Sequence, residues 1–228
     1  TGAEGRDRNR SAFRGQDSID QGRSVIALVD YGAGNLRRVE FALERLGLAW
    51  RRASTAGALD HATAIILPGV GAAATAMSEL ESRGLVRPLR DSQLPMLGIC
   101  LGLQLFTQNS EEGAGRVPCL GVLSGVTRRI GSENPEFGLP LPHIGWNETR
   151  LADDPLFDGL GRMEHFYFLH SYRVDSPVEQ VIAEVDYGGT FPAAVRSGRR
   201  VAVQFHPEKS GDAGLRVLAN FCRAGESS

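Results

Sequence analysis

Apolar positions fall into two regimes along this chain. In the first half, short unbroken apolar runs alternate with stretches whose apolar residues recur every three or four positions. The runs are Val25-Ile-Ala-Leu-Val29, Ala64-Ile-Ile-Leu67 and the segment opening at Met96 after Pro95, with a further strand expected at Trp50 to Ala53. Such runs read as strands buried on both faces. Leu36, Val39, Leu43 and Leu46 keep helical spacing after the first strand. An Ala-rich helix follows the third to about Gly84, and Leu85 to Arg90 extends the helical layer. Strand alternating with helix predicts a parallel sheet covered on both faces. Beyond the loop Glu111-Glu-Gly-Ala-Gly115 the period changes. Leu120 to Ile130, His143 to Leu151, Glu164 to Val174, Val181 to Tyr187 and Phe191 to Arg196 read as short strands separated by Gly, Pro and Asp. Arg200 to Phe205 returns to a buried strand, and Leu215, Leu218, Ala219 and Phe221-Cys222 mark a closing helix. The expected fold class is therefore α/β: a mostly parallel sheet with helices on both faces, with an antiparallel β layer added by the second half.

Length and composition narrow this picture. A chain of 228 residues suits one α/β domain with a full core, expected over residues 25–224, with a short tail at 225–228. Residues 1–24, rich in Gly, Arg, Asp, Ser and Gln with a lone Phe13, read as a disordered extension or a remnant of expression. A formal net charge of −2 gives no electrostatic footprint for nucleic acid or an anionic membrane, so neither partner is expected. No apolar stretch approaches a bilayer span, and the N-terminus lacks an apolar signal core. Three cysteines without framework spacing fit a reducing compartment, so a cytoplasmic location is expected.

The candidate chemistry centres on Gly98-Ile-Cys100-Leu-Gly102, at a strand-to-helix turn. A nucleophile elbow holds its central residue in a strained conformation where neighbouring side chains would clash, and glycines at both flanks remove them. Cys100 then projects at a helix N-terminus, where the dipole and free N–H groups favour thiolate, and the Leu101 N–H points where an oxyanion would form. A glycine turn, Pro68-Gly-Val-Gly71, ends the preceding strand and offers further backbone donors. A cysteine nucleophile needs a base. Of the five histidines, His206 lies just past a buried strand, with Glu208 two residues on and on the same face if the chain stays extended, so the carboxylate could orient the imidazole. Read by themselves, a Cys between Ile and Leu can be a packed core residue, and His61, His143 and His165 read as structural. No Cys pair has metal-ligand spacing, so no metal site is expected. Gly32-Ala-Gly34 after the first strand lacks the third glycine and ribose-binding acid of a dinucleotide site, and reads as a turn.

From Val25 to Phe221 the chain resembles the class I, triad-type glutamine amidotransferases, and more narrowly the glutaminase subunits of imidazole glycerol phosphate synthases. The resemblance rests on Val29-Asp-Tyr-Gly-Ala-Gly-Asn-Leu36, Leu67-Pro-Gly-Val-Gly71, Gly98-Ile-Cys-Leu-Gly-Leu-Gln104, Pro142-His-Ile-Gly-Trp-Asn147, Phe166-Tyr-Phe-Leu-His-Ser-Tyr172 and Gln204-Phe-His-Pro-Glu-Lys-Ser-Gly211. It implies a flavodoxin-like fold, no cofactor, L-glutamine as substrate and a Cys100-His206-Glu208 triad acting through a glutamyl thioester. It further implies an oxyanion hole at Gly69, Val70 and Leu101, and glutamine binding by Gly71, Gln104, Glu112, His170, Ser171 and Tyr172. The implied partner is a (β/α)₈-barrel cyclase, forming a heterodimer, faced by Asn35, Trp146, Asn147, Tyr167 and Lys209. Trp146 by itself reads equally as a core residue. The match is poor at the Pro- and Gly-rich stretch 131–141, where no role is expected, and at Cys119. Two other readings are a glutaminase serving another synthase, of anthranilate or pyridoxal phosphate type, and a catalytically silent module that binds a partner.

Overall fold

A computed structural model describes residues 24–226 apart from 33–35, 114, 133, 135 and 137. The extension expected at 1–24, apart from Ser24, and Asn35 lie outside the described residues. In chain order the elements are β1 (Val25–Val29), α1 (Leu36–Arg45), β2 (Ala49–Ala53), β3 (Ala64–Gly69), α2 (Ala73–Ser82), α3 (Val86–Asp91), β4 (Met96–Cys100) and α4 (Leu101–Phe106). Then come β5 (Asn109–Ser110), β6 (Val117–Pro118), β7 (Val126–Arg129), β8 (His143–Leu151), β9 (Met163–His170), β10 (Tyr172–Asp175), β11 (Val181–Asp186), β12 (Thr190–Ser197), β13 (Arg200–Val203) and α5 (Gly211–Glu226). The closing helix thus runs into the segment expected to be a tail.

One nine-stranded sheet, in the order β2-β1-β3-β4-β13-β12-β11-β8-β9, organises the chain. Its first five strands are mutually parallel, in the doubly wound order whose ligands bind beyond the carboxyl ends of the strands. Each buried strand alternates its side chains between two cores. Ile26, Leu28, Ile66, Leu97 and Ile99 face α1 and α5, while Ala27, Val29, Ile65, Leu67 and Met96 face the α2–α4 side.

The antiparallel strands do not form one separate layer. β12, β11, β8 and β9 continue the large sheet, and only β10, β7, β5 and β6 make a second, smaller one. Two expected strands were too long. Of Leu120 to Ile130 only Val126–Arg129 is extended in a ladder, because Gly121 and Gly125 turn with φ of 66° and 132°. Glu164 to Val174 divides at Ser171, with β9 staying in the large sheet and β10 pairing with β7 in the small one. That division carries His170, Ser171 and Tyr172 across the mouth of the parallel half.

Candidate active site

Cys100 ends the central strand β4 and adopts φ 54° and ψ −105°, a conformation that non-glycine residues rarely take. The flanking glycines are sterically required. A Cβ on Gly98 would stand 2.8 Å from the Gly102 backbone, and one on Gly102 would run into the Leu67 carbonyl. The expected elbow is present, and the thiol projects at the start of α4, 5% exposed.

His206 follows β13, the parallel neighbour of β4, so the order of the sheet brings it beside Cys100. Its Nδ1–H donates to Glu208 Oε1 at 2.8 Å. Burial disfavours the imidazolium, but contacts with the Cys100 sulfur and with Glu208 outweigh it and hold the His206 pKa up at about 9. Nε2 has no hydrogen-bond partner within the described chain, leaving it for the sulfur and for substrate. A residue without an assigned role in the sequence anchors this turn. Ser210 Oγ donates to the His206 carbonyl (2.7 Å) and accepts from the Tyr167 N–H (3.0 Å), and the His206 N–H donates to the Tyr167 carbonyl (2.9 Å). The histidine is thereby tied to β9.

A cleft of about 250 Å³ opens above the thiol, lined by Val70, Gly71, Cys100, Leu101, Gln104 and Glu112 on one side and His170, Ser171 and Tyr172 on the other. All the residues expected to bind glutamine thus meet at one place. Gln104, one helical turn after Cys100, donates from Nε2 to the Tyr172 carbonyl (3.2 Å) and to Gln204 Oε1 (3.4 Å). Gln204 in turn directs its own Nε2 at the Cys100 sulfur, 3.7 Å away. It is fully buried, and its sequence signal was its place in the motif ending at Gly211. Glu112 accepts from the Ala73 N–H at the start of α2 (2.7 Å), leaving carboxylate capacity for a substrate ammonium.

His143, expected to be structural, belongs to a chain of hydrogen bonds that reaches the cleft. The Tyr172 carbonyl can only accept, so His170 Nδ1 carries a proton and donates at 2.8 Å. Burial lowers the pKa of His170 to about 3 and that of His143 to about 4, so both rings are neutral. His170 Nε2 must then accept from His143 Nδ1 (3.1 Å), and His143 Nε2 accepts from Asn147 Nδ2 (3.3 Å). Asn147 also donates to the Asp186 carbonyl at 2.9 Å. Its amide is therefore committed inside the chain, whereas Trp146 beside it faces outward.

Trp146 is 56% exposed, which rules out its reading as a core residue. It pairs in register with Tyr167 on the edge strand β9, the two rings 6.2 Å apart and edge-on, and Lys209 Nζ stands 5.4 Å from the Tyr167 ring centroid. With Ile144, also exposed, these residues make an aromatic patch at the end of the sheet.

The register of β3 and β4 sets the backbone next to the thiol. Ile65 N–H donates to the Pro95 carbonyl at 2.9 Å, and the register pairs Ile65 with Met96, Leu67 with Gly98 and Gly69 with Cys100. Gly69 thus ends β3 directly beside the nucleophile. The Gly69–Val70 peptide that follows borders the cleft, which Val70 and Gly71 line.

Fold and site together define a class. The family model for glutamine amidotransferase class-I matches residues 19–224, and the chain belongs to that family of enzymes. Among its relatives, the imidazole glycerol phosphate synthase subunit HisH of Xanthomonas axonopodis pv. citri is 46% identical over 86% of this chain and 96% of its own length. The protein of the same name from Haemophilus influenzae is 45% identical over the same shares. Of solved structures, one of a glutamine amidotransferase superposes with a TM-score of 0.67 at 23% identity, covering 88% of this chain and 98% of that one. PurLQS from Thermotoga maritima superposes with a TM-score of 0.60 at 18% identity over 89% of this chain and 99% of its own. At those identities the structures speak for the fold alone.

Proposed function

We propose that this chain hydrolyses L-glutamine to glutamate and ammonia and hands the ammonia to the (β/α)₈-barrel cyclase subunit of imidazole glycerol phosphate synthase, in histidine biosynthesis. The observation that carries the chemistry is the convergence of Cys100, His206 and Glu208 on a cleft lined by Gln104 and Glu112. Relatives bearing the synthase subunit's name, alike over nearly their whole length, support the pathway.

In this reading the glutamine side-chain amide enters the cleft with its carbonyl carbon facing the Cys100 sulfur, and Glu112 receives the substrate ammonium. The sulfur attacks the carbon, and the oxygen takes up the negative charge. His206, oriented by Glu208, passes its Nε2 proton to the departing nitrogen, which leaves as ammonia. The glutamyl thioester remains on Cys100. His206, now neutral, takes a proton from water, whose oxygen attacks the thioester, and glutamate leaves as the sulfur is restored. Ammonia released into water at neutral pH becomes ammonium, so the reaction is useful only when a synthase is docked to receive it. The patch of Trp146, Tyr167 and Lys209 has the aromatic and charged character of such a docking surface. The lack, among the described residues, of a helix long and apolar enough to cross a membrane is compatible with the cytoplasmic location included in this proposal.

The test is nitrogen-source dependence with the cyclase present. Cys100→Ala should abolish synthesis from glutamine and leave synthesis from ammonium salts intact, because only the former passes through the thioester. Retained glutamine use would overturn the assignment.

A further inference from the structure

We propose that Tyr31 is a positioning residue of the oxyanion loop, its hydroxyl donating to the Gly69 carbonyl when the Gly69–Val70 peptide turns the Val70 N–H toward the reacting amide. This rests on the glutaminase reading above and adds to it a residue that touches neither substrate nor nucleophile.

Three observations lead there. Tyr31 is fully buried, yet its hydroxyl makes no hydrogen bond within the described chain. Phe would fill nearly the same volume without a buried polar group to leave unpaired, so the hydroxyl points to a partner engaged in another conformation. The hydroxyl also lies directly against the peptide in question, with Oη 2.5 Å from the position a Cβ on residue 69 would occupy. That position must be glycine for Tyr31 to sit there at all.

The third observation is the sheet order. β3 lies between β1 and β4. When the Val70 N–H is presented to the reacting amide on the β4 side, the planar trans peptide sends the Gly69 carbonyl the opposite way, toward β1. Tyr31 follows β1 by two residues, and its hydroxyl lies against residue 69. A carbonyl turned inward needs a donor, and the Tyr31 hydroxyl is a buried donor without a partner beside it. Burial, reinforced by the charge of Cys100, pushes the phenol pKa up, so the hydroxyl keeps its proton and can donate. The rotated peptide thereby gains a bond that the present one lacks. The net worth of an ordinary hydrogen bond corresponds to roughly a five- to ten-fold shift in the balance between the two orientations.

Tyr31→Phe, assayed against wild type in the complex with ligand-loaded cyclase, tests this. Single-turnover formation of the thioester should slow about five- to ten-fold, with KM for glutamine essentially unchanged. Alkylation of Cys100 by iodoacetamide, which forms no oxyanion, should keep its wild-type rate, and the melting temperature should not fall. Acylation as fast as in wild type would overturn the inference. So would acylation and alkylation slowing together, which would make Tyr31 a support for the cysteine. Wild type that forms no thioester from glutamine would overturn the glutaminase reading along with it, whereas an active wild type matched by Tyr31→Phe removes the role of Tyr31 alone.

Discussion

Nδ1 of His143 stands 3.1 Å from Nε2 of His170, and two neutral rings on neighbouring strands share one proton between them. The pair links Asn147, next to the exposed Trp146, with the Tyr172 carbonyl in the cleft. It also sets a pH dependence. The folded pKa values, about 4 for His143 and about 3 for His170, lie below the unfolded value of 6.5. The unfolded chain therefore binds more protons between those limits. The stability these groups contribute is complete above about pH 6.5 and is lost as pH falls toward the folded values. The melting temperature should drop on acidification through that window, and the drop should be shallower in His143→Phe, which has one fewer buried base to charge. Parallel melting curves for the two proteins from neutral to acidic pH check this.

His206 behaves in the opposite sense. Its folded pKa of about 9 lies above the unfolded 6.5, so its contribution is complete below the unfolded value and is lost as pH rises through about 9. Glu208→Gln removes one of the contacts that raise it. The alkaline inflection in the pH profile of Cys100 alkylation should move to lower pH in that variant. Glutamine turnover should fall less than in His206→Ala, because the carboxylate orients the base and takes no proton itself. Equal, complete losses of turnover in both variants would count against that division of roles.

Trp146→Ala should weaken association with the cyclase by on the order of 2 kcal/mol or more, the cost of truncating an aromatic anchor at an interface. Because the side chain is largely exposed and packs edge-on against Tyr167, the melting temperature of the isolated chain should hardly move. Titration calorimetry with the cyclase, alongside thermal melts, separates the two effects.

The glycines of the elbow should be intolerant for steric reasons. Gly102→Ala places a methyl group against the Leu67 carbonyl and should cost about 1–3 kcal/mol or more of stability in urea unfolding. Gly115→Ala, with open space around it, should be close to neutral. Similar costs at the two positions would show that the elbow can relax.

A gate at the Gly69–Val70 peptide predicts a silent isolated subunit. Until the Val70 N–H is turned to the oxyanion position, the isolated chain should form thioester slowly. Cyclase carrying its ligand should accelerate the step by about 10²–10³, the worth of one oxyanion donor. The ligand can act only by favouring the rotated peptide over the present one. Equal single-turnover rates with and without the loaded cyclase would exclude a gate at Gly69-Val70.

Much of this protein was legible in its sequence, because the decisive signals there are local. The unbroken runs at Val25, Ala64 and Met96 are strands because a strand buried on both faces has no polar side. Gly98 and Gly102 exposed the elbow because its geometry leaves no room for a Cβ at either place, and His206 and Glu208 revealed their pairing because two residues of extended chain bring their side chains to one face. Tertiary structure alone decided the remainder. That the antiparallel strands extend the large sheet, that β9 and β10 part at Ser171, and that Trp146 faces outward while Asn147 bonds within depend on strand order and register, which local periodicity does not encode. The same holds for Gln204 reaching the Cys100 sulfur, His143 joining His170, and the Tyr31 hydroxyl lying against Gly69. Each is a contact between residues remote in the chain, created only when β1 is set beside β3, β4 beside β13, and β8 beside β9.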